Sequence, residues 1–283
     1  MMINALSFDL EDWFHNTHLE KYLDRSLWRT YASRAQENTE KILSLLKDEG
    51  VYATFFVLGQ VAERHPDLIK KISEQGHEIA THGWSHTRAY QQTPQEFEAE
   101  LKQSIKLLES ITGKKVLGHR AACFSITANT QWVIDVLMKN GLAYDSSIFP
   151  IIHDKYGMSD APRFPYILRQ QEGKKLVEFP PSTCQIFGLN IPIAGGGYFR
   201  LYPYSLTKMF ISNLNRKGQP AIVYLHPPEF DPHQPKPQID PLNKFRIYIG
   251  VKNNFKKLKK LLRDFRFAPV KDVLNNLGHT LEY

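Results

Sequence analysis

His82 and His86 stand four residues apart in the stretch EIATHGWSH. One helical turn brings i and i+4 side chains side by side, so two imidazoles at this spacing can converge on one small target, of which a metal ion is the obvious candidate. Alone the pattern is weak, because two nearby histidines can equally be a satisfied hydrogen-bonding pair. Acids supply what the imidazoles lack. The stretch SFDLED carries Asp9, Glu11 and Asp12; strand alternation puts Asp9 and Glu11 on one side, while Asp12 falls where strand gives way to loop. Two neutral imidazoles and one carboxylate leave a position open on a zinc-like ion, and water in that position becomes a nucleophile near neutral pH. One acid can then bind metal while another accepts the water proton, although an acid just after a strand can also simply cap the next helix.

Further along, Arg120 in GHRAACFS offers a planar guanidinium fork that could hold a catalytic carboxylate ionised and oriented, or could form an ordinary salt bridge. His226 in VYLHPPEF follows four β-type residues and precedes two prolines, so strand pairing stops there and the imidazole can face a strand-end cleft. Trp13, Phe14 and Trp84 flank the acidic and histidine motifs and could line that cleft or belong to the core. The run Gly195, Gly196, Gly197 before Tyr198, Phe199 and Arg200 would let backbone approach a sugar with rings ready to stack, or would form a flexible hairpin turn.

These side chains need a scaffold. Seven apolar, β-rich runs occur, NALSFDL, YATFFVLG, HEIATH, KVLGHRA, AYDSS, KLVEFP and AIVYLHP. Amphipathic segments with helix signals lie between several of them, TEKILSLLKDEG, PDLIKKISEQG and TPQEFEAELKQSIKLLESITG. The β, α, β, α order predicts parallel strands with crossover helices, as a barrel or a doubly wound sheet. No Pro/Ser-rich linker and no short repeat interrupts the chain, so residues 1–283 are expected to form a single domain. The acidic trio lies at the end of the first strand, His82 of the third, Arg120 of the fourth and His226 of the last, with Asp145 on the fifth. In a parallel barrel these ends share one rim, where active sites are built.

At 283 residues and 42% hydrophobic content the chain can bury a substantial core. MMINALSFDLED has no Lys or Arg ahead of its apolar run and lacks the pattern of a signal peptide, and no apolar segment reaches the roughly 20 residues needed to cross a bilayer. A cytoplasmic, non-spanning protein is expected. Cys123 and Cys184 form no CxxC or zinc-finger spacing, which fits a reducing compartment and leaves metal binding to His and carboxylates. Much of the +7 charge lies in VKNNFKKLKKLLRDFRF. There Val251, Phe255, Leu258, Leu262 and Phe265 recur at helical spacing, with Lys256, Lys257, Lys259, Lys260 and Arg263 between them. This predicts a docked helix with a solvated basic face rather than a surface for nucleic acid or membrane.

With these residues in view, the chain resembles the polysaccharide deacetylases of the NodB-homology superfamily, carbohydrate esterase family 4-like. More narrowly it is similar to the branch associated with exosortase-linked (PEP-CTERM) exopolysaccharide loci. The resemblance rests on SFDLEDWFH, THGWSH, GHRAACFS, YDSSIFP and VYLHPPEF in that order, with AGGGYFRLYP and FRIYIGVKNNFKKLKKLLRDFRF as further stretches, and it runs across nearly the whole chain. It implies a distorted (β/α)7 TIM-like barrel of the α/β class with a family-specific C-terminal extension at about 227–283. It makes Asp9 the general base, His226 the general acid, and His82 and His86 metal ligands; Arg120 steadies Asp9, and Asp145 tunes His226. The third ligand is Glu11 or Asp12, and relatives with an acid-x-acid arrangement, which use the second acid, favour Glu11. Trp13, Trp84, Gly196, Gly197 and Tyr198 are the expected sugar contacts.

The same resemblance implies Zn2+ or another divalent ion, and hydrolysis of acetyl from an N-acetylated polysaccharide or oligosaccharide of an exopolysaccharide or its precursor. The oligomeric state stays open, a homo-oligomer included. Hydrolysis of another C–N bond, in a cyclic amide or a formamide, would use the same site. An inactive carbohydrate-binding protein is disfavoured because Asp9 and His226 are both present. The family usually carries proline where Ala122 stands, a change expected to loosen the loop without deleting a catalytic group.

Overall fold

A computed structural model describes residues 2–153, 156–193 and 195–281. The first half alternates strand and helix: β1 (Ile3–Leu10), α1 (Ala35–Asp48), β2 (Thr54–Val57), α2 (Gly59–Arg64), α3 (Pro66–Glu74), β3 (Glu78–Thr81), α4 (Pro94–Thr112), β4 (Gly118–His119), α5 (Trp132–Lys139) and β5 (Tyr144–Asp145). A hairpin follows, β6 (Tyr166–Gln171) and β7 (Lys174–Glu178), then a second hairpin, β8 (Thr183–Ile186) and β9 (Leu189–Pro192). The chain continues through α6 (Gly196–Leu201), α7 (Tyr204–Arg216), β10 (Ile222–Leu225), α8 (Pro241–Tyr248), α9 (Val251–Asp264), β11 (Arg266–Ala268) and α10 (Val270–Asn276).

The sheet order is β10-β1-β2-β3-β4-β5-β7-β6, with β11 also on β1. The seven runs read from the sequence are the parallel strands β1, β2, β3, β4, β5, β7 and β10; β11 is parallel to β1 as well, and the edge strand β6 runs antiparallel to β7. Strands β2, β3 and β10 are buried along their whole length, as expected where a parallel sheet is covered on both faces. Among the described residues no ladder joins β7 to β10. The chain between them bridges the gap: Ser182 Oγ accepts from Ile222 N at 2.8 Å and Gly195 pairs with Tyr224. The result is the distorted TIM-like barrel.

Helix boundaries follow local chemistry. In α4 a Thr93–Glu96 capping box and Pro94 open the helix, and Gly113 at φ 66° ends it. Alternation then divides each strand's side chains. On β1, Leu6, Phe8 and Leu10 pack outward against the helices, while Ala5 faces an interior cluster with Phe56, Ala80, Tyr144, Val177 and Ile222. Val270, Val273 and Leu274 of α10 close that cluster, so the barrel's lower end is plugged and its C-terminal rim is left for chemistry.

Three features differ from the sequence expectation. KVLGHRA and AYDSS contribute two-residue strands only. The C-terminal helix stops at Asp264, and Phe265 leads into β11, because β2 covers β1 only from Ser7 onward and leaves Ile3–Ala5 an open edge. Lys257 is not on the solvated face: its ammonium reaches the carbonyls of Phe199 and Tyr202 and lies 4.5 Å over the Phe199 ring. Burial pushes it down to about 8, the long stem having been used for packing. The segment from 227 onward, apart from residues 282–283 outside the described set, is thus woven onto the barrel through β11 and α10. No helix among the described residues is long and apolar enough to cross a membrane.

Candidate active site

Along β1, Ala5, Ser7 and Asp9 share the inward side, and Glu11 continues the same parity beyond the strand. Glu11 Oε1 lies 3.0 Å from His82 Nε2 and 3.1 Å from His86 Nε2, and all three residues are buried. The two histidines do not meet through a helical turn. Residues 82–86 are a loop, and it is Gly83 at φ 75° and His86 at φ 59° that fold the second imidazole back onto the first.

His82 Nδ1 stands 2.7 Å from the Arg120 carbonyl, which can only accept, so Nδ1 carries a hydrogen, and in the neutral ring Nε2 would present a lone pair. That lone pair faces a carboxylate oxygen. Two acceptors at such a distance require a proton or a cation between them, and a carbonyl fixing the far nitrogen is the usual support of a metal-binding histidine. Glu11, His82 and His86 offer ligand atoms all within 4.8 Å of one another. The donor set suits a zinc-like ion with a position to spare. Burial alone would raise Glu11, but the imidazoles of His86 and His82 more than offset it and hold the carboxyl well below the usual range.

Asp12 takes another role. Its carboxylate accepts from Trp13 N at 2.9 Å, from Arg34 N at 3.1 Å and from Ser33 Oγ, capping the short turn that follows β1. Its extra residue of register turns it out of the inward row.

Beside the Glu11 cluster, Asp9 Oδ1 receives Arg120 Nη1 at 2.5 Å, and Asp9 Oδ2 lies 3.6 Å from His226 Nε2. Arg120 has no solvent exposure. It donates also to Ser7 Oγ, Ser146 Oγ and Ser146 O, and it stacks 4.0 Å from the Phe56 ring centroid, so Nε, Nη1 and Nη2 each have an acceptor. Asp9, Glu11 and His226 themselves place ligand atoms within 4.8 Å of one another. Burial alone would lower His226, yet Glu229 Oε1 at 3.5 Å from Nδ1, with Glu11 and Asp9 behind it, pushes the imidazole up to about 9. A carboxylate and an imidazolium thus face each other next to a cation-type donor set, which is the arrangement of a base and an acid flanking a polarised bond.

Comparison with known proteins bears on this geometry. Residues 20–143 match the family described as polysaccharide deacetylase, and residues 146–275 match a domain of unknown function, DUF3473. Residues 20–143 thus carry the likeness to polysaccharide deacetylases. Over 122 residues it is 30% identical to a peptidoglycan-N-acetylglucosamine deacetylase of Bacillus cereus, covering 39% of this chain and 44% of that protein. Over 108 residues it is 32% identical to a peptidoglycan deacetylase of Helicobacter pylori, covering 38% and 36%. The match thus spans less than half the length of either relative. Two solved structures share the fold: a probable polysaccharide deacetylase from Pseudomonas aeruginosa PAO1 (TM-score 0.63, 15% identity, 100% of this chain and 92% of that one) and Puue allantoinase (TM-score 0.66, 16% identity, 100% and 92%).

Elsewhere in the structure several expected site residues do other work. Asp145 does not meet His226; it accepts from His119 Nδ1 at 2.7 Å and from Ser147, inside the barrel wall. Beside it, burial and then the Asp145 charge push Glu178 well above the carboxylate range. The carboxylate at His226 Nδ1 is Glu229, held in turn by Arg200 Nε at 3.2 Å, whose Nη1 donates to the carbonyls of Ile247 and Ile249. The signal for Glu229 was present in HPPEF: its Oε2 accepts from His226 N at 3.1 Å, the capping-box spacing that two prolines make rigid.

Trp13 is packed with Phe14, Leu19, Trp28 and Ile247, and its indole N–H donates to Ala32 O, so it supports the loop instead of lining the cleft. Trp84 is buried against Gly59, where a Cβ would come within 2.2 Å of its ring. The glycine run opens α6 and is no hairpin. Gly195 abuts Tyr224, Gly196 lies against Glu229 and His226, and Gly197 is exposed with its Cβ position nearly free. Tyr198 is half-buried beside Tyr202. His15, not singled out in the sequence, accepts from Asp12 N at 2.9 Å with its ring 5.9 Å from that of His86, and burial pushes it down to about 3. The Ala122 loop is held by Phe124, which has φ 53° and packs edge-on against Tyr224, and by Ala121 N donating to Ser147 Oγ, so tertiary contacts replace the missing proline.

Proposed function

We propose that this protein is a metal-dependent hydrolase that removes N-acetyl groups from amino sugars of an exopolysaccharide or its precursor, acting in the cytoplasm. The observation that carries the reading is the meeting of the Glu11, His82, His86 donor set with the Asp9–His226 pair on one rim. Glu11, His82 and His86 would hold a divalent ion such as zinc, which when bound would supply Lewis acidity and lower the pKa of water at the site. Asp9, oriented by Arg120, accepts the proton of the attacking water. His226, protonated through its contact with Glu229, gives a proton to the departing amine. The buried guanidinium keeps Asp9 from rotating toward His226, so that base and acid stay on separate tasks. Both unpaired cysteines fit a reducing compartment.

Acetate release from N-acetylglucosamine oligomers and related N-acetylated polymers by zinc-loaded protein tests the assignment. Release that is lost with Asp9→Asn supports it; no release from any such glycan, with formate or ring-opened product from formamides or cyclic amides instead, would move the reaction to another C–N bond.

A further inference from the structure

The rim that carries the site also carries a group of exposed apolar side chains. Phe187 is fully exposed at the tip of the β8–β9 hairpin, with Ile186 and Leu189 exposed beside it. Ile152, 78% exposed, sits on the loop after β5, which the hairpin grips through Asn190 Nδ2 to Pro150 O at 2.8 Å. After β10, α8 exposes Leu242 and Phe245. All three segments follow C-terminal ends of the parallel strands, so they project on the side of Glu11 and His226, away from the α10 plug.

The tip is held in an unfavourable backbone. Phe187 at φ 49° and Gly188 at φ 80° make a two-residue turn in which both positions are left-handed, a place where Asn-Gly is normal and a bulky aromatic is strained. A large ring kept there in full solvent contact gains nothing from the fold itself.

Charge separates the candidate occupants. No charged residue lies between Glu178 and Arg200, so the hairpin is uncharged throughout. On α8 the apolar pair is interleaved with exposed Lys244 and Arg246, with Lys236 exposed just upstream. The nearest acid, Asp240, is already engaged by Tyr22, Lys21 and Asn243. A chain of net charge +7 that sets apolar tips among cations repels a second copy of the same face. Aliphatic Ile152, Ile186 and Leu189 also lack the polar groups that a sugar chain requires. An anionic lipid surface meets both demands, taking apolar side chains into the acyl boundary and cations at the headgroups.

We propose that this rim docks on an anionic phospholipid bilayer, with the β8–β9 tip and the outer side of α8 entering the headgroup layer and the active-site mouth held at the membrane surface. The proposal is independent of the reaction assigned to the site. It is tested by co-sedimentation of the full chain with phosphatidylcholine vesicles that either lack or contain phosphatidylglycerol. Binding is expected to the anionic vesicles only and to weaken as salt is raised. The double variant Phe187→Ser/Leu189→Ser should lose roughly tenfold or more of the partitioning. Lys244→Glu/Arg246→Glu should lose most of the salt-sensitive part, with thermal unfolding unchanged in both variants. Absence of binding to anionic vesicles, or binding that neither variant weakens, overturns it. So does a hairpin variant that turns a dimer into a monomer, or abolishes retention on an N-acetylglucosamine polymer, while the parent protein ignores vesicles.

Discussion

Glu229→Gln gives the sharpest test of how this site divides acid from base. The substitution keeps an acceptor oxygen for Arg200 Nε and nearly the same volume, and removes only the negative charge 3.5 Å from His226 Nδ1. Glu229 is the leading cause that raises His226, which moves from the ordinary 6.5 to about 9 against the opposing effect of burial. Its removal should therefore bring the imidazole down by on the order of two pH units, about 2.7 kcal/mol of differential stabilisation of the protonated form. The sign follows from His226 acting protonated: activity is present below its pKa and lost as pH rises through it. At pH 8.5 the parent would be about three-quarters protonated and the variant about 3%, a loss of roughly 25-fold, whereas near pH 6 both are protonated and the two rates converge. A bound cation would pull both limbs down together, so the separation between the profiles carries the test. The assay is the pH dependence of kcat for acetate release from an N-acetylglucosamine oligomer. Superimposable alkaline limbs, or an equal loss at every pH, would refute the reasoning and leave Glu229 a merely structural partner of Arg200.

Three further outcomes are expected. Glu11→Gln and His82→Ala should each lower bound metal measured by inductively coupled plasma mass spectrometry; Asp12→Asn should leave it intact and lower stability by about 1–2 kcal/mol through weakened capping, so metal loss on Asp12→Asn would reverse the ligand assignment. Arg120→Met leaves the Asp9 carboxylate buried without its partner and should cost about 3–5 kcal/mol in urea unfolding, and recovery of part of that loss on adding Asp9→Asn separates the unpaired charge from lost packing. Gly195→Ala should be destabilising by about 1–3 kcal/mol, because the new Cβ would lie 1.9 Å from Tyr224 Cε1, while Gly197→Ala should be nearly silent; equal melting temperatures for the two would contradict the packing described here.

Much of the scaffold was legible because it depends on local periodicity. Each of the seven apolar runs is short and largely buried, with helical segments between several of them, and that combination leaves few topologies besides a parallel sheet. Beyond β5 the reading thinned. KLVEFP reads as a strand, but the antiparallel partner β6, with exposed Arg169, Gln170 and Gln171, has too little apolar content to announce itself. The hairpin of β8 and β9 was hidden because its turn lacks the usual Asn-Gly and has Phe187 instead.

Amino-acid order by itself determined the reactive types, the parity that puts Asp9 and Glu11 on one side of β1, and the strand ends on which His82, Arg120 and His226 fall. Only the tertiary structure decided that Glu11 meets the imidazoles while Asp12 caps a turn, that Glu229 supports His226 while Asp145 binds His119, and that Trp13 serves a loop cluster. Periodicity is a property of neighbouring residues and survives any packing. A carboxylate's partner depends on which distant backbone turns toward it, and here left-handed residues such as His86 and the docking of Arg200 against Ile247 and Ile249 set that choice.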